Sequence, residues 1–343
     1  MNNANSYREI IVPVQQEASR PLWSVMIPTY NCANYLRETL KSVLAQDPGA
    51  DIMQIEVVDD CSTKDDPKAV VEEVGQGRVS FYRQPENVGH VRNFNTCLQR
   101  SRGHLVHLLH GDDGVRKGFY RKLQRGFEER PEIGAAFCRH IHMNEQGHWH
   151  YFSPLEQDES GVLSNWLARI AIKQQIQAPS IVVRREVYEK LGGFDRRIRY
   201  WGEDWEMWVR IAAQYPVWYE VEPLALYRTH SVSLSGRSVR SGENIQDFRQ
   251  AIAIVRNYLP DDRAEQLSNK ALDNYARYAI NTARKFVNSE DSEAALNQIR
   301  EALKCYASPQ VIFSSLKLST KLLYKATISS LRHSFSSLQR TTP

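Results

Sequence analysis

Four short apolar runs punctuate the first 115 residues, and each stops in a polar cluster. Ser24-Val25-Met26-Ile27 gives way to Pro28-Thr29-Tyr30-Asn31, and Ile55-Glu56-Val57-Val58 to Asp59-Asp60-Cys61-Ser62. Val79-Ser80-Phe81-Tyr82 leads to the turn Asn87-Val88-Gly89, and Leu105 to Leu109 runs into His110-Gly111-Asp112-Asp113-Gly114. Apolar runs of this length between turn residues read as strands buried on both faces. The stretches between them read as helices. Tyr35, Leu36, Leu40, Val43 and Leu44 recur at helical spacing before Asp47-Pro48-Gly49, residues Asp66 to Val74 are closed by Gly75 and Gly77, and Phe94, Cys97 and Leu98 mark a third helix ending near Gly103. Such alternation calls for a mostly parallel sheet with helices on both faces. Ligands of these sheets bind beyond the strands' carboxyl ends. Tyr30 and Asn31, Asp59 and Asp60, and Asp112 and Asp113 should therefore face one crevice.

A pair of carboxylates behind a buried strand is expensive to leave without a partner. A hard divalent cation, Mg2+ or Mn2+, is a natural one, because it takes carboxylate oxygens and completes its shell with water or substrate phosphate. The plainer alternative is a strand-to-loop turn, in which Asp and Gly are ordinary residues. A dinucleotide-binding domain would share the alternation but needs G-x-G-x-x-G after its first strand, and residues 28–34 hold no glycine.

Composition narrows the class further. Apolar content of 42% and charged content of 24% in 343 residues fit a globular chain with a large core. The five cysteines are scattered without a CxxC pair, which fits a reducing cytoplasm better than a disulfide framework or zinc knuckle. The polar first thirty residues and the lack of 18 consecutive apolar residues lead us to expect neither a secretory signal nor a spanning helix. Charge is uneven. After Glu301 the chain has no acid but carries Lys304, Lys317, Lys321, Lys325, Arg332 and Arg340, so the net +4 belongs to the tail and the body is slightly acidic.

With these motifs in order, the chain resembles the family 2 glycosyltransferases of GT-A fold, which use nucleotide sugars. The residues that carry the resemblance are Ser24 to Asn31, Glu56 to Ser62, Asn87-Val88-Gly89 with Arg92-Asn93, and Gly111-Asp112-Asp113. Further on come Arg184 to Tyr188, Leu191-Gly192-Gly193-Phe194-Asp195, Trp201-Gly202-Glu203-Asp204 and Tyr227-Arg228-Thr229-His230, and the likeness spans about residues 22–235. The resemblance implies that Tyr30 and Asp60 hold the nucleobase, with Pro28, Thr29, Asn31 and Asp59 supporting that pocket. It implies that Arg92, beside Asn93, lies against the nucleotide, and that Trp201 and Glu203 line the substrate side. One of Asp112 and Asp113 would hold a divalent metal (Mn2+ or Mg2+) and the other would touch the ribose, with His230 at the metal or diphosphate. Asp204 would be the base of an inverting transfer. The usual D-x-D is incomplete, since His110 or Gly111 stands where the first carboxylate is expected.

Each motif has a plainer reading alone: Asp59 to Ser62 as a helix cap, Glu203-Asp204 as the acidic first turn of the helix through Met207 and Ile211, Arg92 and His230 as ordinary surface residues. The pairs Arg139-His140-Ile141-His142 and His148-Trp149-His150 flank Asn144-Glu145-Gln146-Gly147, a hairpin signature. That hairpin could gather four imidazoles around zinc, or line the acceptor side of the cleft together with residues 178–181 and 191–194.

We therefore expect a flexible lead-in over 1–20, a GT-A domain over 21–240, a helical region over 241–308, and a basic amphipathic helix over 309–343. The expected function is transfer of a sugar from a nucleotide diphosphate sugar, UDP-linked first, to a glycan or lipid-linked acceptor in bacterial surface polysaccharide synthesis. The setting is cytoplasmic, with residues 310–343 touching an anionic membrane surface and no nucleic acid bound. The rivals are a catalytically silent GT-A-like binding module and a membrane-peripheral scaffold.

Overall fold

The computed structural model describes residues 7–15, 19–229 and 234–338. The chain divides into two compact units, Met1–Ser231 and Val232–Pro343. In the first, the strands are β1 (Trp23–Thr29), β2 (Met53–Asp59), β3 (Ser80–Arg83), β4 (Leu105–Leu108), β5 (Gly114–Val115), β6 (Ala135–Met143), β7 (Trp149–Phe152), β8 (Gly161–Val162), β9 (Ile181–Arg184) and β10 (Val217–Arg228). The helices are α1 (Ala33–Leu44), α2 (Pro67–Gly75), α3 (His90–Arg100), α4 (Phe119–Glu129), α5 (Trp166–Ile170), α6 (Arg185–Leu191) and α7 (Glu203–Ala212).

The main sheet runs β3-β2-β1-β4-β9-β6-β10-β5. β1, β2, β3 and β4 are parallel, as the alternation requires, and every residue of β1 and β2 is buried. Two features depart from the expected pattern. β3 is an edge strand and half exposed, so its apolar run covers one face only. β9 enters between β4 and β6 antiparallel to both, making the sheet mixed. Residues 178–181 were expected on the acceptor side, but Ala178, Pro179, Ser180 and Ile181 are all buried, and Ile181 opens the apolar run of β9 inside the sheet. The loop Leu191 to Phe194 likewise packs inward, with the Phe194 N–H donating to Asn95 Oδ1 at 2.7 Å.

Local chemistry explains where helices start. Asp66 accepts the Ala69 N–H at 3.2 Å and Pro67 follows it, a favourable opening for α2. α3 and α7 begin after Gly89 and Gly202, at φ 84° and 89°, backbone that glycine adopts without strain. Both openings lie at the carboxyl end of the sheet. Beneath them Val25, Ile27, Leu36, Leu40, Val57, Leu109, Phe119 and Leu123 form the core.

The second unit comprises α8 (Leu234–Ser241), α9 (Glu243–Val255), α10 (Asp261–Asn288), α11 (Ser292–Cys305) and α12 (Pro309–Leu338). α10 and α11 form a hairpin joined at Asp291, whose carboxylate caps Ala294, and Phe248 of α9 stacks on Tyr275 at 3.8 Å. α12 lies on α10 and α11 through Val311, Leu318 and Leu322, and turns Phe313, Leu316, Leu323 and Tyr324 outward. The lysine face of this basic helix partly turns back onto the unit itself. Lys321 Nζ donates to Asn288 Oδ1 at 3.2 Å and Lys325 Nζ to the Val287 carbonyl at 3.1 Å. Among the described residues no helix is long and apolar enough to cross a membrane.

Candidate active site

The carboxyl ends of β1 and β2 are stitched together by their own polar residues. The Asp60 N–H donates to the Thr29 carbonyl at 2.9 Å, and the fully buried Asp59 carboxylate accepts the Ser62 N–H at 3.1 Å and the Ser62 hydroxyl. Asn31, at φ 51°, accepts the Thr63 and Lys64 N–H groups at 2.9 Å through Oδ1. Asp60 receives the N–H of Val88 at 2.8 Å on one oxygen and the N–H of Gly89 at 3.0 Å on the other, with the Asn87 amide. Burial still outweighs those donors and raises its pKa above the usual carboxylate range. Tyr30 projects from this cluster, 38% exposed, and Pro28 stays within β1. Arg92 is exposed on α3. Asn93 points inward, donating to the Val58 carbonyl at 2.9 Å and accepting from Gln84 at 3.1 Å, so its amide braces α3 against β2.

The second acidic pair sits differently. Residues 110–113 form a tight turn, closed by the Asp113 N–H on the His110 carbonyl at 3.1 Å and anchored by the Gly111 N–H on the Pro28 carbonyl at 3.0 Å. A Cβ at Gly111 would stand 3.0 Å from Thr29 Oγ1 and 3.1 Å from Cys32 Sγ, so glycine alone fits without displacement. Thr39 Oγ1 bridges the carbonyls of Gly111 and Asp113 at 3.0 and 2.6 Å. Arg228, 5% exposed, donates its N–H to Asp113 Oδ1 at 2.8 Å and its Nε to the Asp112 carbonyl at 2.9 Å. Asp113 Oδ2 is buried with no hydrogen-bond partner, and burial together with the charge of Asp112 pushes the Asp113 pKa well above the usual range. His110, Asp112 and Asp113 each offer a ligand atom, all within 4.8 Å of one another. Two carboxylates and an imidazole around an unsatisfied buried oxygen fit a divalent cation.

Across the cleft, Gly202 starts α7 with Glu203 and Asp204, and Trp201 precedes it, half-buried. Asp204 Oδ1 accepts the Trp205 N–H and Oδ2 the Gln174 amide, both at 2.7 Å. Burial, then the neighbouring Glu203 charge, pushes the Asp204 pKa up to about 8. Glu203 goes the other way: burial opposes its ionisation, but the His90 imidazole 3.3 Å away holds it below the usual range. Glu203 Oε2 remains buried without a partner. Tyr227 links the two sides. Burial and then the charges of Asp113, Asp112 and Asp204 raise its phenol pKa, placing the ring among three carboxylates.

The expected hairpin exists as β6 and β7. His140 and His142 meet, Nε2 to Nε2, at 3.1 Å, and His142 stacks on Tyr151 at 4.1 Å. Among the described residues the hairpin histidines join no ligand-spaced group: His148 lies on the exposed turn, and His150 sits in β7 at the register shift between His142 and Met143, so four imidazoles do not gather. His230 lies outside the described residues. Sequence reasoning assigned no role to Arg228, Gln174 or Tyr227. A signal existed for the first and third, since Tyr227-Arg228 follows an apolar strand as the acidic clusters do. Nothing marked Gln174.

Residues 24–192 match the family model described as glycosyl transferase family 2. The chain carries a family 2 glycosyltransferase domain of GT-A fold, and it is a glycosyltransferase. A Bacillus subtilis glycosyltransferase, TuaG, provisionally named for teichuronic acid biosynthesis, is 32% identical over 120 residues, 34% of this chain and 45% of that protein. Among solved structures, S. aureus TarS in complex with UDP-GlcNAc aligns with a TM-score of 0.62 at 17% identity, over 91% of this chain and 92% of that one. The mannosyltransferase PcManGT from Pyrobaculum calidifontis, in complex with GDP-Man and Mn2+, aligns with a TM-score of 0.54 at 19% identity, over 90% and 83%. At these identities the two structures speak for the fold alone.

Proposed function

We propose that this glycosyltransferase is a metal-dependent, inverting enzyme that moves a sugar from a UDP-linked donor to a hydroxyl of a glycan or lipid-linked acceptor in surface polysaccharide assembly. The observation that carries it is the buried, unpartnered oxygen of Asp113, placed with Asp112 across the cleft from an Asp204 held at both oxygens. Tyr30 offers its exposed ring to the base, and Asp60, whose carboxylate retains lone-pair capacity beyond its three donors, accepts the ring N–H. Arg92 is free to turn its planar fork to the nucleotide. Asp112, Asp113 and His230 would hold Mn2+ or Mg2+, which when bound neutralises charge on the departing diphosphate.

Asp204 takes the proton from the acceptor hydroxyl as that oxygen attacks the anomeric carbon. The bonds from Trp205 and Gln174 fix its carboxylate plane, and a pKa near 8 gives it more basic strength than an ordinary aspartate. A single base acting in one displacement inverts the anomeric centre. Glu203 and Trp201 line the side from which the acceptor enters. The outward apolar residues of α12 and the acid-free stretch after Glu301 support contact with an anionic membrane at its inner face.

The substitution of His110 for the first acid of D-x-D favours one other reading, a silent sugar-nucleotide binding module. Nucleotide release from UDP-, GDP-, dTDP- and CMP-linked sugars with Mn2+, followed by NMR of the product anomer, separates the two. Release from one donor with inverted product supports the transferase. Donor binding with no release in the presence of oligosaccharide or polyprenyl phosphate acceptors supports the module.

A further inference from the structure

The first position of the expected D-x-D is an imidazole, and its surroundings are those of a ligand. The His110 ring is clamped against Phe94, 4.9 Å between centroids and 19° from parallel, so it cannot swing out without losing that contact. His110 Nδ1 stands 3.8 Å from Asp113 Oδ2, too far for a hydrogen bond. It is within the roughly 4.2 Å that two ligands of one ion, each about 2.1 Å from it, can span. His110 Nε2 and Asp113 Oδ2 are both buried with no partner, while the other Asp113 oxygen is fixed by the Arg228 N–H at 2.8 Å. Asp113 is 2% exposed. The backbone carrying all three side chains is held by Gly111, Thr39 and Arg228, so the donor set is formed before any ion arrives.

We propose that His110 is itself a ligand of the divalent cation, replacing the missing carboxylate with a neutral nitrogen and tilting this site from Mg2+ toward Mn2+. The proposal rests on the metal-dependent reading above and adds the ligand's identity and its consequence. A carboxylate set serves Mg2+ and Mn2+ alike, whereas an imidazole is a poor ligand for Mg2+ and a good one for first-row transition ions. One carboxylate fewer also lowers the ligand charge, which weakens the hard ion most.

The test uses Mn2+ alone on the full-length His230→Ala chain, which removes the other proposed nitrogen ligand, with electron spin-echo modulation reading nitrogen bound directly to the ion. This parent should bind Mn2+ with a strong 14N modulation, and the His110 variants are made in it. His110→Asp should bind Mn2+ without it, and its Mn2+ to Mg2+ affinity ratio should fall about tenfold. His110→Gln should lose the modulation too, which keeps the test open if the aspartate variant folds poorly. Mn2+ bound without nitrogen modulation, or modulation that survives in both variants, overturns the proposal and leaves the metal-dependent reading intact. A wild type that binds no Mn2+, with or without UDP, removes that reading and this proposal together.

Discussion

The chain contains two Asp-Asp pairs at the ends of β2 and β4, the parallel strands on either side of β1, identical in residue type and opposite in state. Asp59 and Asp60 have every carboxylate oxygen engaged by donors from Ser62, Val88, Gly89 and Asn87, so their charge holds two loops in place, with Asp60 keeping room for one further N–H. Asp112 and Asp113 sit in an equally rigid turn, yet one buried oxygen of Asp113 has no hydrogen-bond partner and burial raises its pKa. Satisfied charge builds the frame, and unsatisfied charge marks where a ligand must supply the missing partner.

The contrast is sharpest at Asp204, the proposed base. Asp204→Asn should lower kcat by about 10²- to 10⁴-fold while leaving nucleotide affinity unchanged, measured by initial rates beside calorimetric titration of UDP. Its pH profile carries the same information. The carboxylate is the working form and its pKa stands near 8, so wild-type activity should rise with pH through about 8. Stability moves the opposite way. A folded-state pKa raised above the unfolded value makes a contribution that is present at acid pH and lost as pH rises through about 8.

The two pairs should also separate by the sign of a stability change. Asp59→Ala strands the Ser62 N–H and hydroxyl and should cost about 2–3 kcal/mol in urea unfolding. Asp113→Asn keeps an acceptor for the Arg228 N–H and removes a buried charge, so without divalent ions it should change stability by less than about 1 kcal/mol. Equal losses for both would break the comparison. The smallest effect is reserved for Gln174→Ala, which frees one oxygen of Asp204 and should lower kcat a few-fold with KM for the donor unchanged.

Much of the frame was legible in sequence because it is local. Apolar runs ending in polar clusters marked β1, β2 and β4, and turn residues marked the starts of α2 and the β6–β7 hairpin. The antiparallel entry of β9 was not legible, since a buried strand reads the same in either direction. The likeness drew attention to both acidic pairs alike. Their difference depends on donors distant in sequence, Val88 and Gly89 for Asp60 and Arg228 for Asp113, and no local pattern reports those. Gln174 was invisible for the same reason: it meets Asp204 thirty residues away, through a loop without periodicity.

The central claim is that the second pair, and not the first, is completed by a cation and a nucleotide diphosphate. Calorimetric titration of UDP into wild type and the Asp112→Asn, Asp113→Asn double variant, each with Mn2+ and with EDTA, tests it most directly. The account predicts binding in wild type only with Mn2+, and none in the folded variant under either condition. UDP binding of equal strength in EDTA, or in the double variant, would contradict it.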